Sequence, residues 1–151
     1  MEWAFAPLGK YADFKGRARR KEYWSFMVLV AVLFAAAYAI ENLLELRGAQ
    51  GYGPLTIVFQ LAVLLPTLAV GARRLHDIGR SGWWLLAGYG AFAASTALAL
   101  AGMGGWEYLL SVAAGIGFLV LLVFSVMEGN RGPNRFGEDP KAGEPAEPGA
   151  G

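Results

Sequence analysis

The sequence predicts an all-α, polytopic membrane protein: a bundle of four transmembrane helices behind a short N-terminal interfacial helix, with both termini in the cytoplasm. Three observations predict it. Hydrophobic residues make up 56% of the 151 and charged residues 17%, against a soluble norm near ~25% charged. The charges lie in short clusters separated by long uncharged stretches. Twelve of the 13 Lys and Arg residues fall in segments that four spans would place on one side.

Along the chain, the first element is amphipathic. Arg17, Arg20 and Lys21 alternate with Phe14, Tyr23 and Trp24, which suits an interfacial helix lying under the bilayer, with Gly16 supplying the turn into the first span. Uncharged runs then cover 23–40, 48–72, 81–106 and 108–127. Each reaches the ~18 residues that cross ~30 Å of hydrocarbon at 1.5 Å per residue. Trimmed of their Gly/Pro-rich and aromatic flanks, they place helices at about 23–42, 54–72, 83–101 and 107–127. Inside lipid every backbone polar group needs an internal partner, so these runs are helical.

A rival reading of the first span is a secretory signal peptide, with Ala35, Ala36 and Ala37 as a small-residue cleavage site. The charged region ahead of it is too long and too mixed in sign to fit that pattern. Residues 1–140 are thus expected to form the membrane domain. Residues 141–151, rich in Gly, Pro and Glu, read as a disordered tail.

Orientation follows from Lys and Arg, which stay on the cytoplasmic side of short loops. The segment before the first span, the loop 73–80 and the tail carry all of them but Arg47. Tyr23, Trp24, Trp83, Trp84, Trp106 and Tyr108 sit where aromatic belts form at the water boundary. Within the bundle, small residues allow close helix approach. The candidate faces are Ala31, Ala35 and Ala39; Gly90 and Ala94 with Ala91 and Ser95; and Ser111 with Gly115 and Ala113 with Gly117. Pro66 is expected to kink the second span, near Gln60 and Thr67.

Three blocks remain, all on the expected cytoplasmic side: residues 11–24 (YADFKGRARRKEYW), 73–84 (RRLHDIGRSGWW) and 129–140 (GNRGPNRFGEDP). In order and spacing they resemble the bacterial inner-membrane family known as domain of unknown function 805. Phe14, Gly16, Arg17, Arg20, Glu22, Tyr23 and Trp24 carry the first block of the resemblance. Arg73, Arg74, His76, Asp77, Ser81, Gly82, Trp83 and Trp84 carry the second, and Gly132, Asn134, Phe136, Gly137, Asp139 and Pro140 the third. The sequence departs from the family in having Gly88 and Gly90 where members often carry proline in the third span. The resemblance implies a multi-pass protein of the bacterial inner membrane whose biochemical role is not established.

Composition narrows the function. Cysteine is absent, so disulfide and thiolate chemistry are excluded. A net charge of +1 gives no field that calls for nucleic acid. His76 is the single histidine, so no multi-histidine zinc site forms, and its neighbour Asp77 is too close in sequence for a catalytic relay. No catalytic residue, metal or cofactor is therefore assigned. A magnesium site from Glu22, Asp77 and Asp139, serving phospho-transfer on lipids, is the enzymatic alternative. Glu41, Glu45, Glu107 and Glu128 fall at helix ends rather than at the midplane, which argues against a small-solute transporter.

Two readings of the blocks stand side by side. Arg17, Arg20, Arg73, Arg74 and Arg80 could form a pocket for an anionic lipid headgroup, since guanidinium pairs bidentately with phosphate. Alternatively Asp13, Glu22, Asp77 and Asp139 neutralise those arginines in a structural network. The expected partners are membrane lipids. A further alternative is an assembly subunit whose cytoplasmic belt docks another membrane protein or a second copy of the chain.

Overall fold

The computed structural model describes residues 7–48, 51, 53–102 and 105–142. Helix α1 covers Arg20–Leu43 and α2 covers Pro54–Asp77. The third span is composite: a 3-10 turn over Gly82–Trp84 and a π turn over Leu86–Gly90 lead into α3, Ala91–Leu100. Helix α4 closes the bundle over Trp106–Val126. All four spans are long and apolar enough to cross a membrane. Large apolar side chains such as Val28, Leu61 and Leu119 face outward, as lipid, unlike water, allows.

Helix α1 packs on α2, and α4 packs on the π turn and α3. Helix α2 is the most enclosed, with residues 69–75 all buried. Contacts between α4 and the third span are close because one partner is glycine. A Cβ on Gly117 would lie 2.1 Å from the Ala87 carbonyl oxygen, and one on Gly88 would lie 3.0 Å from Phe118. Of the small-residue faces, Gly117 and Ser95 are buried, whereas Ala31, Ala35, Ala39, Ala94, Ser111, Ala113 and Gly115 are exposed. Spacing alone does not say which side of a helix meets its neighbour, and Ala37 and Ala114 face inward instead.

The element boundaries differ from expectation in two places. Helix α2 runs to Asp77 rather than stopping near 72, because the charges that would mark its end have partners inside the bundle. Likewise, the first block is not itself an interfacial helix. Residues 7–9 are helical, but 13–19 are not, and Gly16 turns with φ +77°. Two bonds pull this segment along α2: the Ala18 N–H donates to the Arg73 carbonyl at 3.0 Å, and the Tyr11 hydroxyl donates to the Ala62 carbonyl. Those acceptors lie eleven residues apart on α2, about 16 Å at helical rise.

Pro66 sits, fully buried, within α2. It has no N–H, so the Ala62 carbonyl lacks its i+4 donor. Tyr11 supplies the replacement. At the end of the bundle away from the motifs, Glu41 is fully buried and accepts the N–H groups of Gly53 (3.1 Å) and Thr56 (2.9 Å) and the Thr56 hydroxyl (2.8 Å). A carboxylate from α1 thus caps the N-terminus of α2, where the helix dipole favours negative charge. The tail expected to be disordered lies outside the described residues from 143 onward.

Candidate functional site

The three blocks meet at one end of the bundle, around Asp77. Its Oδ1 accepts from Arg17 Nε at 3.0 Å and its Oδ2 from Arg74 Nη1 at 2.5 Å. Both arginine side chains are 1% exposed. Arg17 also donates to the carbonyls of Gly132, at 2.7 Å, and Asn130. Arg74 donates to the Ser125 carbonyl in the last turn of α4 at 3.1 Å and to the Met127 carbonyl just beyond it. The Asn130 N–H returns a bond to the Asp77 carbonyl at 2.8 Å. One carboxylate therefore ties the first block to the second, and its two arginines tie both to the third.

Arg73 is buried beside them and pairs with Glu22 at 3.1 Å. Its Nε and Nη2 have no hydrogen-bond partner. Asp139 lies 4.0 Å from Arg17 and accepts the N–H groups of Lys141 (2.9 Å) and Gly132 (2.8 Å). Those two backbone donors, Lys141 foremost, hold its carboxyl below the usual carboxylate range. Three buried arginines are thus opposed by three carboxylates, so the interior of the knot is electrically balanced. Balance is what permits charge at this depth, since an unpaired buried ion costs several kcal/mol.

His76 is not part of the charge layer. Its ring stacks on Phe136 at 4.0 Å, and Nδ1 contacts the Gly16 carbonyl at 3.1 Å. Asn134 Nδ2 donates to the His76 carbonyl at 2.9 Å, while Asn134 and Gly137 exchange two backbone bonds of 3.0 Å. This small loop presents Phe136 to the histidine. Gly129 is required by contact: a Cβ there would lie 2.0 Å from Asp77 Oδ2. Ser81 accepts the Trp83 N–H at 3.4 Å and caps the third span, with Gly82 over Ala72.

The five arginines offered for a headgroup pocket divide. Arg17, Arg73 and Arg74 are enclosed and paired, so a common anion pocket lined by all five does not form. Arg20 and Arg80 are exposed and flank the end of α4. Arg20 Nη1 donates to the Val126 carbonyl at 3.3 Å, and the Arg80 guanidinium lies 5.5 Å from the Phe124 ring centre. Trp84 meets the same Phe124 edge-on at 5.3 Å, and Trp83 is 78% exposed nearby in the chain. The carboxylates proposed for magnesium are likewise separated by their arginines. Among the described residues no group of three His, Asp or Glu side chains is placed to hold a metal.

Sequence reasoning missed Tyr11, Glu41, Gly129 and Asn130. Gly129 and Asn130 stood inside a block, but only the fold shows them against Asp77.

A family model described as a protein of unknown function, DUF805, matches residues 11–138, which contain nearly all of the three interlocked blocks. This chain belongs to the DUF805 family. Two relatives are inner membrane proteins of Escherichia coli (strain K12). YhaI is 39% identical over 143 residues, 95% of this chain and 98% of the relative. YhaH is 38% identical over 142 residues, 93% of this chain and 98% of the relative. The uncharacterized protein YiiR of the same strain is 31% identical over 145 residues, 92% of this chain and 88% of the relative. No solved structure matches. The chain is therefore a multi-pass membrane protein with the DUF805 motifs gathered at one end of its bundle.

Proposed function

We propose that this protein is a non-enzymatic component of the bacterial inner membrane, with both termini in the cytoplasm, and that its cytoplasmic rim binds anionic lipid headgroups through Arg20 and Arg80. The observation that carries the reading is the pair of exposed guanidinium groups at the end of α4, beside Trp84 and Phe124. Internal pairing takes up the charge of Arg17, Arg73 and Arg74 and leaves these two facing outward. Each such cation near an anionic leaflet contributes on the order of 1 kcal/mol, and an indole at the same level anchors the depth.

The positive-inside rule supports the orientation, since the segment before α1, the loop after α2 and the segment after α4 carry every Lys and Arg but Arg47. Arg47 is held at the far end by Asn42, Tyr38 and the Gly51 carbonyl. The non-enzymatic reading is supported by the fate of Glu22, Asp77 and Asp139, which are occupied by arginine or by backbone N–H groups. Lipid analysis of the purified protein tests the proposal. The Arg20→Gln/Arg80→Gln variant is expected to retain less phosphatidylglycerol and cardiolipin than the parent at equal yield, and unchanged retention refutes the site. Alkaline phosphatase fused after residue 142 is expected to be inactive and fused in the 102–105 loop active; the reverse pattern overturns the orientation.

A further inference from the structure

Beneath the charged knot, a partly open cavity of about 150 Å³ lies between all four spans. An engineered cavity of about that volume accepts a benzene ring. Its wall is largely apolar, with Met27 and Leu121 among the lining side chains, and it extends from Thr67 to the level of Arg74 and Leu75. Of the four hydroxyl residues that line it, Ser125 donates to the Leu122 carbonyl at 2.7 Å, which leaves Tyr23, Thr67 and Tyr89. None of the three has a hydrogen-bond partner among the described residues. All three residues are half-buried, and a hydroxyl set in a largely apolar wall gains from meeting an acceptor.

The tyrosines are held by contacts that leave the hydroxyls free. Tyr23 meets Trp24 edge-on at 5.5 Å, and Tyr89 meets Phe118 edge-on at 5.0 Å. Tyr89 belongs to the π turn, a widened turn of a kind that recurs at functional sites. Among the described residues Arg74 is the sole charged one in the lining, and no carboxylate lines the wall. The cavity therefore offers donors and a positive rim, while the charge of Arg74 is already opposed by Asp77. An anion would unbalance that pair. A neutral acceptor would not.

The geometry points to a binding site for an uncharged, largely apolar group of about the size of a substituted ring that carries a carbonyl oxygen, which accepts hydrogen bonds from among the hydroxyls of Tyr23, Thr67 and Tyr89. The same acceptor chemistry has two sources in a membrane, a ring ketone such as a quinone and the ester of a lipid acyl chain. The site is separate from the Arg20 and Arg80 rim and does not depend on it.

Thermal unfolding of the full chain in nanodiscs tests the site with three probes: acetophenone, cumene (a similar shape without the carbonyl) and methyl hexanoate. Acetophenone is expected to raise the midpoint saturably, by a few degrees at ~100-fold its dissociation constant. Cumene is expected to bind at least tenfold more weakly. Tyr23→Phe/Tyr89→Phe is expected to bring the two aromatic probes to equal affinity, and Thr67→Val, which leaves both rings in place, to narrow their gap. Methyl hexanoate binding more tightly than acetophenone identifies the acceptor as an acyl ester, and the opposite order identifies a ring ketone. Equal binding of acetophenone and cumene to the parent, or a ketone preference that survives in both variants, overturns the site.

Discussion

Replacing Tyr11 by Phe removes one oxygen and leaves the Ala62 carbonyl without a donor, because Pro66 cannot provide the helical N–H. Ala62 is exposed on the surface of the bundle, so the roughly 1–3 kcal/mol that an orphaned buried acceptor costs is an upper bound here. Interhelical side-chain bonds in membranes average about 0.6 kcal/mol and reach about 1.7. Tyr11 is 42% exposed, which places its bond toward the lower figure, so Tyr11→Phe is expected to cost about 1 kcal/mol. In a Pro66→Ala background the new N–H can take the Ala62 carbonyl, and the same substitution is expected to cost about 0.3 kcal/mol or less. Pro66→Ala alone mixes lost packing with a gained helix bond, so its own sign decides nothing. Reversible unfolding of the four proteins in mixed micelles, followed by far-UV circular dichroism, gives the coupling energy. A Tyr11→Phe cost that is the same in both backgrounds refutes the idea that this hydroxyl serves the carbonyl that Pro66 frees.

Three further outcomes follow from the geometry. Asp77→Asn strips the shared counter-charge from two arginines that are 1% exposed, and removing one partner of a buried pair costs about 3–5 kcal/mol; thermal unfolding should show a loss of that order, against less than about 0.5 kcal/mol for Glu128→Gln, whose pair with Arg131 is exposed. Gly117→Ala drives a Cβ into the Ala87 carbonyl and is expected to destabilise by about 1–3 kcal/mol or more, whereas Gly115→Ala, with nothing within 4 Å, is expected to be neutral or slightly stabilising in the same assay. Because the Asp139 carboxyl is lowered on folding, its stabilisation is fully present above the ordinary carboxylate value and is lost as pH falls through the lowered one; hydrogen exchange at Gly132 and Lys141 should accelerate in that acid window, and a rate profile identical in Asp139→Asn would contradict the assignment.

How much was legible in the sequence varies with the distance over which each property is decided. The four spans were readable because transfer into lipid depends on local composition, and a run such as 108–127 satisfies it without reference to any neighbour. Arg73, Arg74 and Asp77 could be named as important but not ranked against Arg20 and Arg80, since burial depends on what folds over them. The sequence reads the charges at 73–77 as a water boundary, and the tertiary partners Arg17, Asn130 and Ser125 turn that segment into the last turn of α2. The small-residue faces misled for a similar reason. Ala31, Ala35 and Ala39 share a helix side, but only packing decides whether that side meets protein or lipid.

By itself the sequence determined the class of solvent, the number of spans and the blocks that carry the charge, because hydrophobic transfer and charge placement act residue by residue. Only the tertiary structure decided which charges neutralise one another. Asp77 reaches Arg17 across sixty residues, and Tyr11 reaches Ala62 across fifty-one. Such bonds depend on distances of a few ångströms between segments that the chain order leaves far apart, and that information exists only once the spans have packed.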